Sequence, residues 1–85
     1  ADGPAALTRA VREWMASAAV AQNQVVLRTP PSGAQPLALA VDRAQLDGIL
    51  GTVAGDDTVL VITANAKTAN ELLARLDTIA NGRRA

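Results

Sequence analysis

The chain has 85 residues, enough for one small domain, and a domain of this size buries only about 60% of the surface that its unfolded chain exposes. Eight basic residues balance eight acidic ones, so the basic excess typical of a nucleic-acid-binding or membrane-surface module is missing. Within this chain, the lack of cysteine and histidine excludes disulfides, the usual zinc ligands and Ser-His or Cys-His catalysis.

The apolar residues indicate a thin core. They make up 49% of the sequence, but 19 of them are alanine and Trp14 is the only aromatic residue. We therefore expect a small aliphatic domain that gains stability by oligomerisation. No apolar stretch approaches the roughly 18 to 20 residues of a membrane span, and the amino terminus has no signal-peptide pattern. These features predict a cytoplasmic chain without a membrane partner.

Residues 1–12 are interpreted as the remnant of an interdomain linker. Leu7, Ala10 and Val11 recur at helical spacing over residues 5–12, but such a segment is too short to be a stable helix by itself. The domain proper is therefore predicted to cover residues 13–85.

Residues 14–20 and 25–29 are predicted as two strands, the second of which is rich in β-branched side chains. The polar residues 21–24 between them favour a turn. The two strands should form a hairpin.

A helix is predicted over residues 34–46, with Ser32 or Gly33 as its cap. Its core-facing stripe comprises Leu37, Ala40, Val41 and Ala44. The opposite face combines two leucines with an amide and a carboxylate, which indicates an interface: Gln35, Leu39, Asp42 and Leu46.

A second hairpin is predicted from strands at residues 49–54 and 58–63, joined by a turn at residues 55–57. Residues 59–62 are apolar at every position, as in a strand that is covered on both faces. Short connections place both long helices on one face of the sheet. The other face then needs cover from another protomer.

The last helix is predicted to start with a capping box formed by Thr68 and Glu71 and to end at Asn81-Gly82. The order β-β-α-β-β-α predicts an α+β, two-layer sandwich. In it, a four-stranded antiparallel sheet carries two helices on one face, and a short helical segment precedes the domain.

The turn Gly55-Asp56-Asp57 is the densest candidate for function, and four interpretations of it are open. It can be an ordinary polar turn, a hard-cation site or an acid–base pair, although further carboxylates and a nucleophile are lacking. The fourth interpretation is recognition of a cation, because two adjacent carboxylates repel each other and a guanidinium group would relieve that repulsion. Gln35 and Asp42 would add an amide and a third carboxylate.

The string Gly51-Thr52-Val53-Ala54-Gly55-Asp56-Asp57-Thr58 resembles the carboxyl-terminal domain of bacterial arginine repressors, most closely those of actinobacteria. The segments at residues 27–31, 33–35 and 42–44 share the resemblance, which covers about residues 13–80. It implies a domain that forms trimers and pairs of trimers, with L-arginine as corepressor at the trimer–trimer contact. Operator DNA would be read by an amino-terminal winged helix-turn-helix that this chain lacks.

Carried over residue by residue, the resemblance implies a ligand site made by three elements: Gln35, Asp42, Thr52, Ala54, Asp56 and Asp57. It implies that Asp56 holds the guanidinium of an arginine bound mainly by the opposite trimer, while Asp42 and backbone groups fix the amino-acid head. No catalytic residue, metal or cofactor is expected, so the chain is predicted not to be an enzyme. A purely structural oligomerisation module is the alternative.

Overall fold

The computed structural model describes residues 3–82, in which three helices are separated by two pairs of consecutive strands. In chain order the elements are α1 (Gly3–Trp14), β1 (Ser17–Ala21), β2 (Gln24–Arg28), α2 (Ala34–Ala44), β3 (Ile49–Ala54), β4 (Thr58–Thr63) and α3 (Ala66–Ala80). This order confirms the predicted α+β class, and the bounds of β3 and β4 agree with the prediction. None of the described helices is long and apolar enough to cross a membrane.

The strands form one antiparallel sheet in the order β1-β2-β4-β3. Each hairpin pairs consecutive strands, and the pairing of β2 with β4 joins the two hairpins. Because successive side chains of a strand point to opposite faces, this register places four fully buried side chains on the same face. They are Val25, Leu27, Val59 and Val61. β3 lies at an edge, where a strand has a row of backbone groups without a strand partner.

Helices α2 and α3 cover that buried face, as predicted. α2 packs over β3 and β4, and α3 packs over β1, β2 and β4. Leu37 and Val41 of α2 belong to the same aliphatic core as Leu72 and Leu76 of α3 and the buried strand residues. The prediction of a thin, aliphatic core on one side of the sheet is therefore confirmed.

Helix α1 packs against both α2 and α3, which differs from the boundary predicted after residue 12. Leu7 and Val11 are completely buried, and this burial stabilises a helix that would be too short to form by itself. The helix extends to Trp14, a residue predicted to start the first strand, so β1 begins later than predicted, at Ser17. Residues 3–12 are thus part of the packed domain.

The predicted capping box at Thr68 is wrong. The N-cap of α3 is Asn65, whose side-chain oxygen accepts a hydrogen bond from the Thr68 backbone N–H at 2.8 Å. Asn is among the strongest N-cap residues, so the helix begins at Ala66, before Thr68. At the other end Asn81 is the C-cap and Gly82 has a positive φ of 68°, as expected from Asn81-Gly82.

Helix α2 ends earlier than predicted, at Ala44. Gln45 adopts the left-handed conformation (φ 50°), which terminates the helix and lets Leu46 pack against the core. The prediction that Leu46 lies on the outer face of the helix is therefore wrong. The other residues predicted for that face are exposed: Gln35, Leu39 and Asp42.

No described element covers the second face of the sheet, which we call the open face. It includes Val26, Val53, Leu60 and Ile62, which alternate with the core-facing residues of their strands. Val53 is 68% exposed, and Leu50, at an irregularity in β3, is 71% exposed. The strands therefore carry apolar side chains on both faces of the sheet, as predicted for residues 59–62. Cover of the open face by another protomer stays a prediction.

The burial of α1 leads to a stability prediction. Leu7→Ala should lower the free energy of unfolding by about 2–5 kcal/mol, because it opens a cavity between α1 and the core. The half-buried Leu73 of α3 offers a matched control, and Leu73→Ala should cost clearly less. Urea unfolding followed by circular dichroism measures both. Equal losses for the two variants would contradict the assignment of α1 to the core.

Candidate functional site

All six residues predicted for the site lie along α2, the adjoining edge strand β3 and the turn that follows it. Thr52 and Ala54 lie opposite Val61 and Val59, so their side chains face the helical layer. Gln35, in the first turn of α2, donates a hydrogen bond from Nε2 to the Ala54 carbonyl oxygen at 3.0 Å. This contact joins the start of α2 to the end of the edge strand.

A second contact joins α2 to β3 two helical turns further on. The Thr52 hydroxyl lies 3.0 Å from Oδ1 and 3.1 Å from Oδ2 of Asp42, and it donates its single hydrogen to this carboxylate. A neutral hydroxyl orients the carboxylate without compensating its charge. Asp42 is exposed and has no ion pair among the described residues.

The turn after β3 is tied to the loop that precedes α2. The backbone N–H of Thr29 donates to the Asp57 carbonyl oxygen at 2.8 Å, and the N–H of Ala34 donates to the Asp56 carbonyl oxygen at 3.2 Å. The Asp56 side chain accepts a third bond, from the Ser32 backbone N–H to Oδ1 at 3.2 Å. These bonds fix the Asp56 carboxylate at the amino-terminal end of α2, where the helix dipole favours a negative charge.

Asp57 has different surroundings from its neighbour. Its Oδ2 lies 3.5 Å from Nη2 of Arg28, and its Oδ1 accepts a hydrogen bond from the Thr58 hydroxyl at 3.0 Å. Arg28 and Thr58 are register partners, at positions that alternate with the core-facing residues of β2 and β4. The Asp57 carboxylate therefore belongs with the open face, whereas Asp56 lies at the start of α2.

The contacts of the turn bear on the alternatives for its function. A hard cation prefers several carboxylates converging on one point, but Asp56 and Asp57 face different parts of the molecule. Within residues 3–82, no group of three or more acidic, histidine or cysteine side chains is arranged to hold a metal ion. The turn is also more than a polar connection, because it anchors the start of α2.

The charges near the site do not balance. Asp42, Asp56 and Asp57 contribute three negative charges, and Arg28 compensates one of them, which leaves two.

A depression of about 350 Å³ adjoins Asp42 between the end of α2 and the start of β3, and Gly51 lies at its wall. A side chain at Gly51 would meet nothing within 4 Å, so the fold of the single chain does not require glycine there.

Sequence reasoning missed Arg28 and Ser32 as partners of the two turn aspartates. The contact of Arg28 depends on the pairing of β2 with β4, and these strands are separated by a helix and a strand in the sequence. The sequence pattern predicts only a helix-capping role for Ser32. Its N–H instead meets Asp56 because the turn lies against this loop.

Comparison with known proteins identifies a family for this chain. Residues 11–78 match the family model described as "Arginine repressor, C-terminal domain". The chain belongs to this family. An arginine repressor from Koribacter versatilis is 41% identical over 68 residues, which are 80% of this chain and 46% of that protein. The chain therefore spans about half the length of this relative.

Two glycines near the site of this arginine repressor C-terminal domain should respond differently to alanine. A Cβ at Gly33 would lie 2.9 Å from Thr29 Cβ and 3.0 Å from Trp14 Cε3, so Gly33→Ala should destabilise the domain by about 1–3 kcal/mol. Gly51→Ala should leave stability unchanged or raise it by up to about 1 kcal/mol, because alanine is favoured over glycine within a strand. Thermal unfolding compares the two variants, and the reverse order would contradict the described packing.

Proposed function

We propose that this chain is the L-arginine-sensing and oligomerisation domain of a transcriptional repressor of arginine metabolism genes. The observation that carries the proposal is the pair of oriented but uncompensated carboxylates, Asp42 and Asp56, beside an exposed sheet edge. The matched family and the similar arginine repressor support the choice of arginine as the ligand.

The chemistry of L-arginine suits this arrangement. Its guanidinium group is planar and permanently charged, and it can form two parallel hydrogen bonds with a carboxylate. Asp56 uses one carboxylate oxygen for the Ser32 N–H, and its other oxygen has no hydrogen-bond partner among the described residues. We assign the guanidinium to Asp56, with the arginine bound mainly by the opposite trimer.

The amino-acid head would be held by the groups along α2 and β3. Asp42 offers a negative charge for the α-amino group, and the Thr52 hydroxyl keeps that carboxylate in place. Gln35 and the Ala54 carbonyl provide further polar atoms, and the outer edge of β3 provides backbone N–H and C=O groups. The depression near Gly51 leaves room for a ligand beside Asp42.

Assembly would supply the cover that the isolated chain lacks. The open face exposes large apolar side chains, and Leu39, on the outer face of α2 between Gln35 and Asp42, is 50% exposed. We propose that trimers form and pair into hexamers, with the arginine site at the contact between trimers. Operator DNA would be bound by a separate amino-terminal domain in the cytoplasm.

The coupling between ligand and assembly follows from electrostatics. Carboxylates that approach each other across the trimer–trimer contact repel, and a cation placed between them removes this repulsion. A ligand that binds only the assembled form stabilises that form by RT ln(1 + [L]/Kd) at each site. Arginine would thereby favour the hexamer and bring several DNA-binding domains together on paired operator sites.

Asp56→Asn tests the proposal, because asparagine keeps an acceptor for the Ser32 N–H and removes only the charge. By isothermal titration calorimetry, the variant should bind L-arginine about ten- to a hundredfold more weakly, as expected for the loss of a charged hydrogen bond. Asp77→Asn, an exposed carboxylate on α3, should bind like the unmodified chain.

Citrulline provides the matched ligand, since it has nearly the shape of arginine without its charge, and it should bind the unmodified chain much more weakly. Arginine affinity that does not change in Asp56→Asn would contradict the role of Asp56. No heat with arginine for the unmodified chain would instead favour the purely structural oligomerisation module.

A further inference from the structure

Arg28 is the only charged residue in the four strands of the sheet. It lies in β2 at a position that alternates with the buried Val25 and Leu27, so its side chain belongs to the open face. The rest of this face is formed by alanine, valine, leucine, isoleucine and small or neutral polar residues. A second copy that covers the open face would therefore bury one charge from each protomer.

A single buried charge strongly opposes association, unless it is paired with an opposite charge. The structure supplies the partner within the same chain, because Asp57 Oδ2 lies 3.5 Å from Arg28 Nη2. Asp57 is held there by the Thr58 hydroxyl at its other oxygen and by its own backbone bond to the Thr29 N–H. The open face is thus electrically neutral before any partner arrives.

In the isolated chain this pair contributes little. The side chain of Arg28 is 56% exposed and that of Asp57 is 50% exposed, and solvent-exposed ion pairs have small effects on folding stability. The contact becomes important only when water is removed from both groups. A covering protomer would remove that water, so the pair matters for assembly rather than for the fold.

We propose that the Arg28–Asp57 ion pair is an assembly element, which neutralises the open face so that another copy of this chain can cover it. This inference rests on the proposed function, since it takes a second copy of the chain as the partner of that face. A face whose one charge is already compensated and whose remaining side chains are neutral suits an equally neutral surface, which a second copy provides.

The two turn aspartates would then have different roles. Asp56 faces the start of α2 and is available for a cationic ligand, whereas Asp57 acts through Arg28 as a positioning residue of the interface. The two adjacent carboxylates would then have separable effects. A change at Asp56 should lower the affinity for arginine directly, and a change at Asp57 should weaken self-association even when no arginine is present.

A double-mutant cycle tests this division. Arg28→Gln and Asp57→Asn each leave one uncompensated charge, so each should weaken self-association at least about tenfold in sedimentation equilibrium without arginine. The double variant Arg28→Gln/Asp57→Asn has no charge at either position and should associate within about threefold of the unmodified chain. Arg75→Gln, on α3 in the other layer, is the control and should associate normally.

Circular dichroism shows whether each variant folds, which is expected because both side chains are half exposed. If a single variant fails to fold, the charge-swapped chain Arg28→Asp/Asp57→Arg gives the same information, and its normal association would support the inference.

Single variants that associate as well as the unmodified chain, or a double variant as weak as the single ones, would overturn the inference alone. An unmodified chain that stays monomeric at every concentration would overturn the proposed assembly and the inference together.

Discussion

One layer of helices covers only one face of this sheet, and the other properties of the domain depend on that constraint. Val59 and Val61 are buried beneath the helices, while the intervening Leu60 lies on the open face with the exposed Val53. Alanine makes up so much of the apolar content that the core stays thin. Helix α1 adds to the core through Leu7 and Val11 but lies on the helical side, so it leaves the open face uncovered. The proposed self-association would cover this apolar face.

The same constraint explains why a ligand site would lie at a contact between protomers. Asp42 and Asp56 are oriented by the neutral Thr52 hydroxyl and by the Ser32 N–H, and neither receives a countercharge from the described residues. Two oriented negative charges at an exposed edge repel an identical edge and attract a cation. Under the proposed function, binding and assembly would therefore be coupled without a conformational change in the protomer. Asp57 differs from these two carboxylates, because its charge is compensated within the chain by Arg28.

The elements with strong local signals were predictable from the sequence. β3 and β4 follow from their β-branched runs and the intervening turn, and the start of α2 follows from the residues before it. The role of α1 was not predictable, because a short amphipathic segment forms a stable helix only when other elements bury its apolar face. The spacing of apolar residues also does not predict individual backbone conformations. The left-handed conformation of Gln45, which ends α2, is an example. The contact between Arg28 and Asp57 depends on a strand order that local periodicity does not encode.

The most direct test of the account is the mass of the assembly with and without L-arginine. Sedimentation velocity on the unmodified chain, at protein concentrations that span the dissociation of the complex, separates monomers, trimers and hexamers. We expect arginine to shift the distribution towards the hexamer at a fixed protein concentration, and citrulline at the same concentration to leave it nearly unchanged. A monomer under all three conditions, or an assembly whose mass responds equally to both ligands, would contradict the central claim that a cation between facing carboxylates holds the assembly together.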